Sequence, residues 1–515
     1  MHELHTERLS RVRDEITRTK ESDATGNDRL HMPLDDSIGT PKESQWLIAC
    51  DENMAAESLP WNDNSPFPSS PNDDDELFLA GLDRVDDSFS TEVASPQDAN
   101  DPIMELETLL DHGILYHSLA HKYSQVLRMY DEDFCVIPLS GDCRNNPFRV
   151  GMSTISSYDF LLHAVMAVST QHLAKQNHCT TTLASMHNHW STALHLFSQS
   201  LYSSQVVPLL DALLILVSFE TTQSASAMWS VHLNGAYQLL EHHGPLEKCR
   251  DNPRMRAQLA MLLWWDVTIA LISRRDPRFP MEYLDSFVID DRNDGWSFFD
   301  LNGCPLGLLV AMARLAKLAS VHEQTLRMEW TMFNRSPVDA ALREVKEFVN
   351  DAEVGLDDIH NLEEEANTRR NRYHCVEAWR HAIMLYACRV FTREQDPYQL
   401  RQIDHLARII LDSVRCIPKT DILQKQLLFP VFLAASEACN ETDRVFVRQY
   451  CKHWSNVSRF YHFESAATVL ESVWDDWSLS TRGSYWWGVK ISQGAAMGLP
   501  TEVHDMALAE ELLLG

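Results

Sequence analysis

From Met104 to about residue 500, large apolar residues return at spacings of three and four, in runs of helical length separated by short polar connections. That period aligns side chains on one face of an α-helix, whereas a half-buried strand needs strict alternation, which is nearly absent here. In "SPVDAALREVKEFVN" Ser336 can cap, Pro337 suits a first turn, and Val338, Leu342, Val345 and Val349 share a face. "QIDHLARIILDSVRCIP" aligns Ile403, Leu406, Ile410 and Val414 and stops short of Pro418. "ESAATVLESVWDDW" does the same through Ala467, Leu470, Trp474 and Trp477. Glycine agrees with this reading: 17 in 515 residues is roughly 3%, against about 7% in average proteins, too few for glycine-rich nucleotide loops or turn-dense β architectures. The expected fold is all-α, a large irregular helical domain over 104–500. A charged surface loop is expected at 356–372 and a C-terminal tail at 501–515. No fixed-period repeat of the kind a solenoid needs is visible.

The N-terminal fifth is of another kind. Of a net charge of -30, the stretch from Glu21 to Asp101 carries 20 acids against 3 bases. Rich in Pro, Ser and Asn, it cannot offset the entropy of ordering its backbone, so 21–103 is expected to be disordered. Ahead of it, residues 1–20 spell a short amphipathic helix with Leu9, Val12 and Ile16 on one face. Within the acidic region, "DDDELFLAGLDRVDDSF" (73–89) spaces Phe78, Leu82, Val85 and Phe89 at four, three and four, with Leu77 beside them. Gly81 opposes that helix by about 1 kcal/mol. A segment marginal alone but amphipathic when folded suits a partner's groove, and acidic-hydrophobic interleaving is the composition of an activation segment. Leu77, Phe78, Leu82, Val85 and Phe89 are therefore the expected partner-binding residues. Docking of the same stripe on the helical domain and a merely solvated linker are the alternatives.

Candidate chemistry is sparse. The eleven cysteines are an odd number with no CxxC among them, and are expected to be thiols. His117 with His121, and His187 with His189, lack the third ligand or the glutamate that would make a metal site, so no metal is expected. Serine-nucleophile, P-loop and dinucleotide patterns are missing, so no catalytic residue and no cofactor is expected. The longest apolar run, Val206 to Phe219, is too short to cross about 30 Å of hydrocarbon and contains Asp211. The charged first twenty residues do not resemble a secretory signal, and the chain is expected to stay inside the cell. In "MLLWWDVTIALISRRDPRFP" Asp266 follows two tryptophans in an apolar run and needs a partner: Arg274, Arg275 or a backbone amide at a helix start.

Several stretches resemble the fungal-specific transcription factor domain. They are "VLRMYDEDFCVIPLSGDCRNNPFR", closing on Asn146, Pro147 and Phe148; "SSYDFLLHAVMAVSTQHLA"; and "WSVHLNGAYQLLEHHG" with Trp229, His232, Leu233, Gly235 and Ala236. The stretch with Trp264, Trp265, Asp266 and Arg274 resembles the family's central helix and the basic turn after it. "LLFPVFLAASEACNETDRVFV" matches with Pro430 kinking an apolar helix, followed by Glu437, Ala438 and Arg444, and "AATVLESVWDDW" closes the series. The resemblance runs from roughly residue 110 to 490. It implies a nuclear, helical domain that modulates transcription through dimerisation, intramolecular inhibition or small-molecule sensing, and often one that accompanies a secondary-metabolite gene cluster.

The sequence departs from the family at one point. A binuclear zinc cluster needs six cysteines within roughly 30 to 40 residues beside a basic helix end, and only Cys50 lies before Cys135. No basic patch stands in for it, so direct DNA binding by this chain is not expected. The expected partners are transcription coactivators or a DNA-binding protein, with a homo- or heterodimer allowed and no membrane contact. Two alternatives stand beside this: a DNA-binding factor whose zinc cluster lies upstream of a truncated N-terminus, and a helical enzyme built around Asp266.

Overall fold

A computed structural model of the chain describes residues 124–514, except 178–179, 202–204, 224–225, 228, 244–248, 250, 290–293, 329–330, 351–362, 393–395, 480–486 and 489–510. The readings made for 1–20, 21–103 and the stripe at 73–89 lie outside the described residues.

Regular structure among the described residues is almost wholly helical, as expected. The order is α1 (Ser124–Met129), a π turn (Tyr130–Phe134), α2 (Met152–Ser157), α3 (Asp159–Asn177), α4 (Thr180–Ser200) and α5 (Val206–Thr221). Then come β1 (Ser226–Ala227), α6 (Trp229–His243), α7 (Pro253–Ser273), α8 (Met281–Ile289), α9 (Phe298–Asn302) and α10 (Leu306–Leu326). α11 (Ser336–Glu347), α12 (Glu363–Val390) and α13 (Pro397–Cys416) lead to a 3-10 segment (Ile422–Leu427), α14 (Leu428–Ala435), α15 (Glu441–Ser458), α16 (His462–Leu479) and β2 (Glu511–Leu512).

α7 is the axis of the body. Asn252 caps it, its Oδ1 accepting the N–H groups of Arg254 and Met255 at 3.0 and 3.2 Å, and Pro253 fills the first turn, where no N–H is needed. Every residue from Met255 to Ile272 is buried, against α5, α6 and α10 among others. A helix with no solvent face has no reason to be amphipathic, which is why this stretch reads as apolar all round. α7 is also the one helix among the described residues long and apolar enough to cross a bilayer, and here its apolar stretch is buried inside the protein. Arg254, Arg256, Gln258 and Asp266 interrupt its apolar run. The helix ends at Arg274, left-handed at φ 53°, a conformation that costs a non-glycine residue roughly 1 kcal/mol. Its guanidinium compensates, donating to Glu323 Oε1 at 2.7 Å and to the Gly488 carbonyl at 3.2 Å.

Surface helices follow the sequence pattern more closely. On α13 Ile403, Leu406, Ile410 and Val414 are all buried, and Asp396 caps the start by accepting the Gln399 N–H at 2.8 Å. On α16 Leu470 and Trp474 are buried and Ala467 packs against the core, while the Trp477 side chain lies outside the described residues. On α11 Val338 and Val345 are buried and Leu342 packs against the core, but the helix ends at Glu347 and Val349 is 55% exposed. Ser336 does not cap α11. The residue before the helix, Arg335, makes no side-chain cap, and the Asn334 side-chain oxygen, two residues ahead of Ser336, accepts the Ser336 N–H at 3.1 Å.

Three further expectations are corrected. The charged stretch 356–372 is not all loop: from Glu363 onward it is the first part of α12, where acids suit the positive end of the helix dipole. Asn371 there is buried and donates to Asp421 at 2.6 Å, and the Arg372 guanidinium lies 4.1 Å from the centre of the Phe299 ring. Pro430 does not kink a continuous helix. It falls in the first turn of α14, where its missing N–H costs nothing, and the backbone upstream is 3-10 instead of α. The end of the stretch read as a tail is part of the body: β2 pairs antiparallel with β1, Ser226 opposite Leu512, and Leu512, Leu513 and Leu514 are buried.

Candidate functional site

The family-motif residues come together around α7. Asn146 donates to the Cys135 carbonyl at 2.9 Å and accepts the Phe148 N–H at 2.9 Å, which folds the loop and turns Phe148 inward. The Phe148 ring lies 6.3 Å from Trp265, Trp264 meets Trp379 edge-on at 5.2 Å, and Trp379 stacks on Phe429, next to Pro430, at 5.8 Å. Asn146, Pro147, Phe148, Trp264, Trp265 and Pro430 thus belong to one continuous interior.

An ion pair between a buried acid and a half-buried arginine ties the loop to the helices. Asp211 of α5 accepts from Arg254 Nη2 at 2.5 Å and from Gln258 at 2.5 Å. The remaining guanidinium donors reach the carbonyls of Asn146 at 3.1 Å, Arg149 at 2.7 Å and Pro147 at 3.3 Å. Burial raises the Asp211 carboxyl above the ordinary carboxylate range, and Arg254 and Gln258 pull it back only in part. A fully buried pair, Arg389 with Glu437 at 2.7 Å, joins α12 to the end of α14.

Asp266 finds its partner in the backbone. Its two oxygens accept the N–H groups of Arg278 and Phe279, both at 2.8 Å, just ahead of α8. Arg274 pairs instead with Glu323, and Arg275 with Glu511 at 3.0 Å. Burial pushes the Asp266 carboxyl up to about 7, against the pull of the two amides. With both oxygens occupied, this acid holds the turn between α7 and α8 in place. Asp266→Ala is expected to cost about 2–4 kcal/mol, because two amides lose their acceptor. Urea unfolding of the purified chain measures this, and a loss below about 1 kcal/mol would contradict the assignment.

The structure also shows a site that the sequence did not suggest. A cavity of about 40 Å³ lies against α7, walled by Met261, Trp264 and Trp265, with Ser218 and Thr221 of α5 and Phe460 also on its lining. Lys425, from the 3-10 segment, lines it and is buried, and its Nζ donates to the Leu139 carbonyl at 3.1 Å. No carboxylate among the described residues pairs with it. Burial alone lowers this amine to about 7. Lys425 and His462 are the two titratable side chains on the lining. In sequence, a lysine between Gln424 and Gln426 reads as a surface residue, and nothing in the stretch marks it otherwise.

The remaining candidates do not assemble into a site. His189 faces His163, Nδ1 to Nδ1 at 2.9 Å, while His187 is exposed, and His117 and His121 lie outside the described residues. Among the described residues no group of three or more His, Cys, Asp or Glu is placed to hold a metal, and the nine cysteines are all free thiols. The partner-binding stripe Leu77, Phe78, Leu82, Val85 and Phe89 lies outside the described residues.

The fold is thus that of an all-helical scaffold whose buried charges, as described here, hold loops and helix ends. The fungal specific transcription factor domain model matches residues 125–495, and the chain belongs to that family. Membership makes transcription regulation the class of function, points away from catalysis, and implies a nuclear location in general terms. No curated protein and no solved structure matches the chain.

Proposed function

We propose that the chain is a transcriptional regulator that acts through protein partners and not through its own contact with DNA. The observation that carries this is the family match over 125–495, together with the acidic arm ahead of it. In this reading the stripe Leu77, Phe78, Leu82, Val85 and Phe89 folds into the groove of a coactivator, with the ordering entropy of the arm offset on contact. The short amphipathic segment at 1–20 pairs with a DNA-binding protein that brings the chain to promoters. The body works in the nucleus as a homo- or heterodimer, and its target genes form a secondary-metabolite cluster.

The arm is tested by fusing residues 1–104 to a heterologous DNA-binding domain in a reporter strain. The fusion should activate transcription, and the double substitution F78A/F89A should lower the output several-fold. A silent fusion removes support for the arm. Tight, sequence-selective binding of a promoter fragment by the purified chain alone would overturn the partner-mediated reading.

A further inference from the structure

The wall that carries Lys425 is rigidly built. Gln424 Nε2 donates to the carbonyls of Val414 and Ile417 at 3.1 and 2.7 Å, its Oε1 accepts from Trp454 Nε1 at 2.9 Å, and Tyr450 Oη donates to its carbonyl at 3.0 Å. Gln426 Nε2, on the other side, donates to the Pro138 carbonyl at 2.9 Å. The backbone on both sides of Lys425 is therefore pinned. An ammonium has three N–H donors, and among the described residues the one hydrogen bond here goes to Leu139. No carboxylate among the described residues pairs with this buried amine; an ammonium held so is strongly disfavoured, and a ligand that supplies one negative charge removes that cost.

The rest of the lining decides what else the ligand carries. Trp264, Trp265, Met261 and Leu428 give the same cavity apolar surface, and the hydroxyl-bearing Ser218 and Thr221 also line it. At 40 Å³ the space holds about three water-sized volumes, which fits an anionic head with a tail of one or two carbons. Of the two titratable side chains on the lining, Lys425 and His462, the lysine is the one amine, and pairing it calls for a single negative charge, so a monoanion fits better than a dianion. We propose that this cavity binds a short-chain monocarboxylate, its carboxylate paired with Lys425 and its alkyl end against the tryptophans of α7. The site is independent of the regulatory reading above, because binding is measured on the purified full-length chain without promoters or partners.

The test uses sodium acetate and sodium propionate, with sodium chloride at matched ionic strength as the control. Both carboxylates should raise the unfolding temperature of the wild-type chain saturably by a few degrees beyond chloride, as ligation of the native state requires. They should also perturb the fluorescence of the cavity tryptophans. In Lys425→Met, which removes a buried charge and is expected to fold, both effects should disappear. A second measurement needs no variant: titration calorimetry in two buffers of different ionisation heat. With the free amine near 7, carboxylate binding should take up close to one proton at pH 8 and much less at pH 6, since only the ammonium pairs. No saturable shift beyond chloride, an equal shift in Lys425→Met, or binding at pH 8 without proton uptake would each overturn the proposal.

Discussion

Replacing Arg254 with alanine should lower the unfolding free energy by about 3 kcal/mol, the low end of the range for breaking a buried ion pair, because Asp211 is buried while Arg254 is only half-buried. The guanidinium serves four acceptors at once. It neutralises Asp211 on α5, and it closes the hydrogen bonds of three loop carbonyls, those of Asn146, Pro147 and Arg149. Without it, Asp211 keeps only Gln258 and is driven further towards its protonated form, and the carbonyls are left with water or nothing. Lysine should rescue little, since an ammonium cannot span acceptors placed around a planar fork. The measurement is chemical denaturation of Arg254→Ala and Arg254→Lys. A loss below about 1 kcal/mol for alanine would show that the network is not a structural tie.

A second large effect should depend on pH. Lys425 titrates near 7 in the folded chain and near 10.4 when unfolded. Between those values the unfolded state holds a proton that the folded state has released, so this group makes stability rise with pH from about 7 to about 10. Below pH 7 both states are protonated, and the folded state carries the whole cost of a buried charge. Lys425→Met removes that cost. The variant should therefore be more stable than wild type at pH 6, on the order of 3–5 kcal/mol, and the gap should narrow steadily towards pH 10. There, only the lost hydrogen bond to Leu139 remains, worth about 1 kcal/mol in the other direction. Taking the difference between the two chains cancels every other titrating group to first order. Parallel stability profiles would show that the amine stays charged in the folded chain.

What could be read in advance depended on which face of each helix meets water. α13 alternates between core and solvent once per turn, so its buried side was legible from Ile403, Leu406, Ile410 and Val414 alone. α7 has no such alternation. Only the acid at 266 distinguished it, and the acid's backbone acceptor role could not be separated from pairing with Arg274 or Arg275. Asp211 was visible as an acid in an apolar run, but its partner lies 43 residues away along the chain and carries no local mark. The charged run after residue 356 was read as loop because density of charge was weighed above position, and its glutamates turned out to start a helix. Lys425 was illegible for a simpler reason: its burial comes from elements that meet only in three dimensions.

The strand pair has a consequence for biosynthesis. Ser230 and Glu511, joined by hydrogen bonds, are 281 residues apart in the chain. At about 5–20 residues per second of translation, the earlier partner waits roughly 15 to 60 seconds for the later one. Until then Leu512, Leu513 and Leu514 are missing from the core, and the apolar surface they will cover is open to any hydrophobic stranger in the cell. A chain built this way should spend its youth in the hands of chaperones and reach its mature form only as a last, long-range clasp snaps shut.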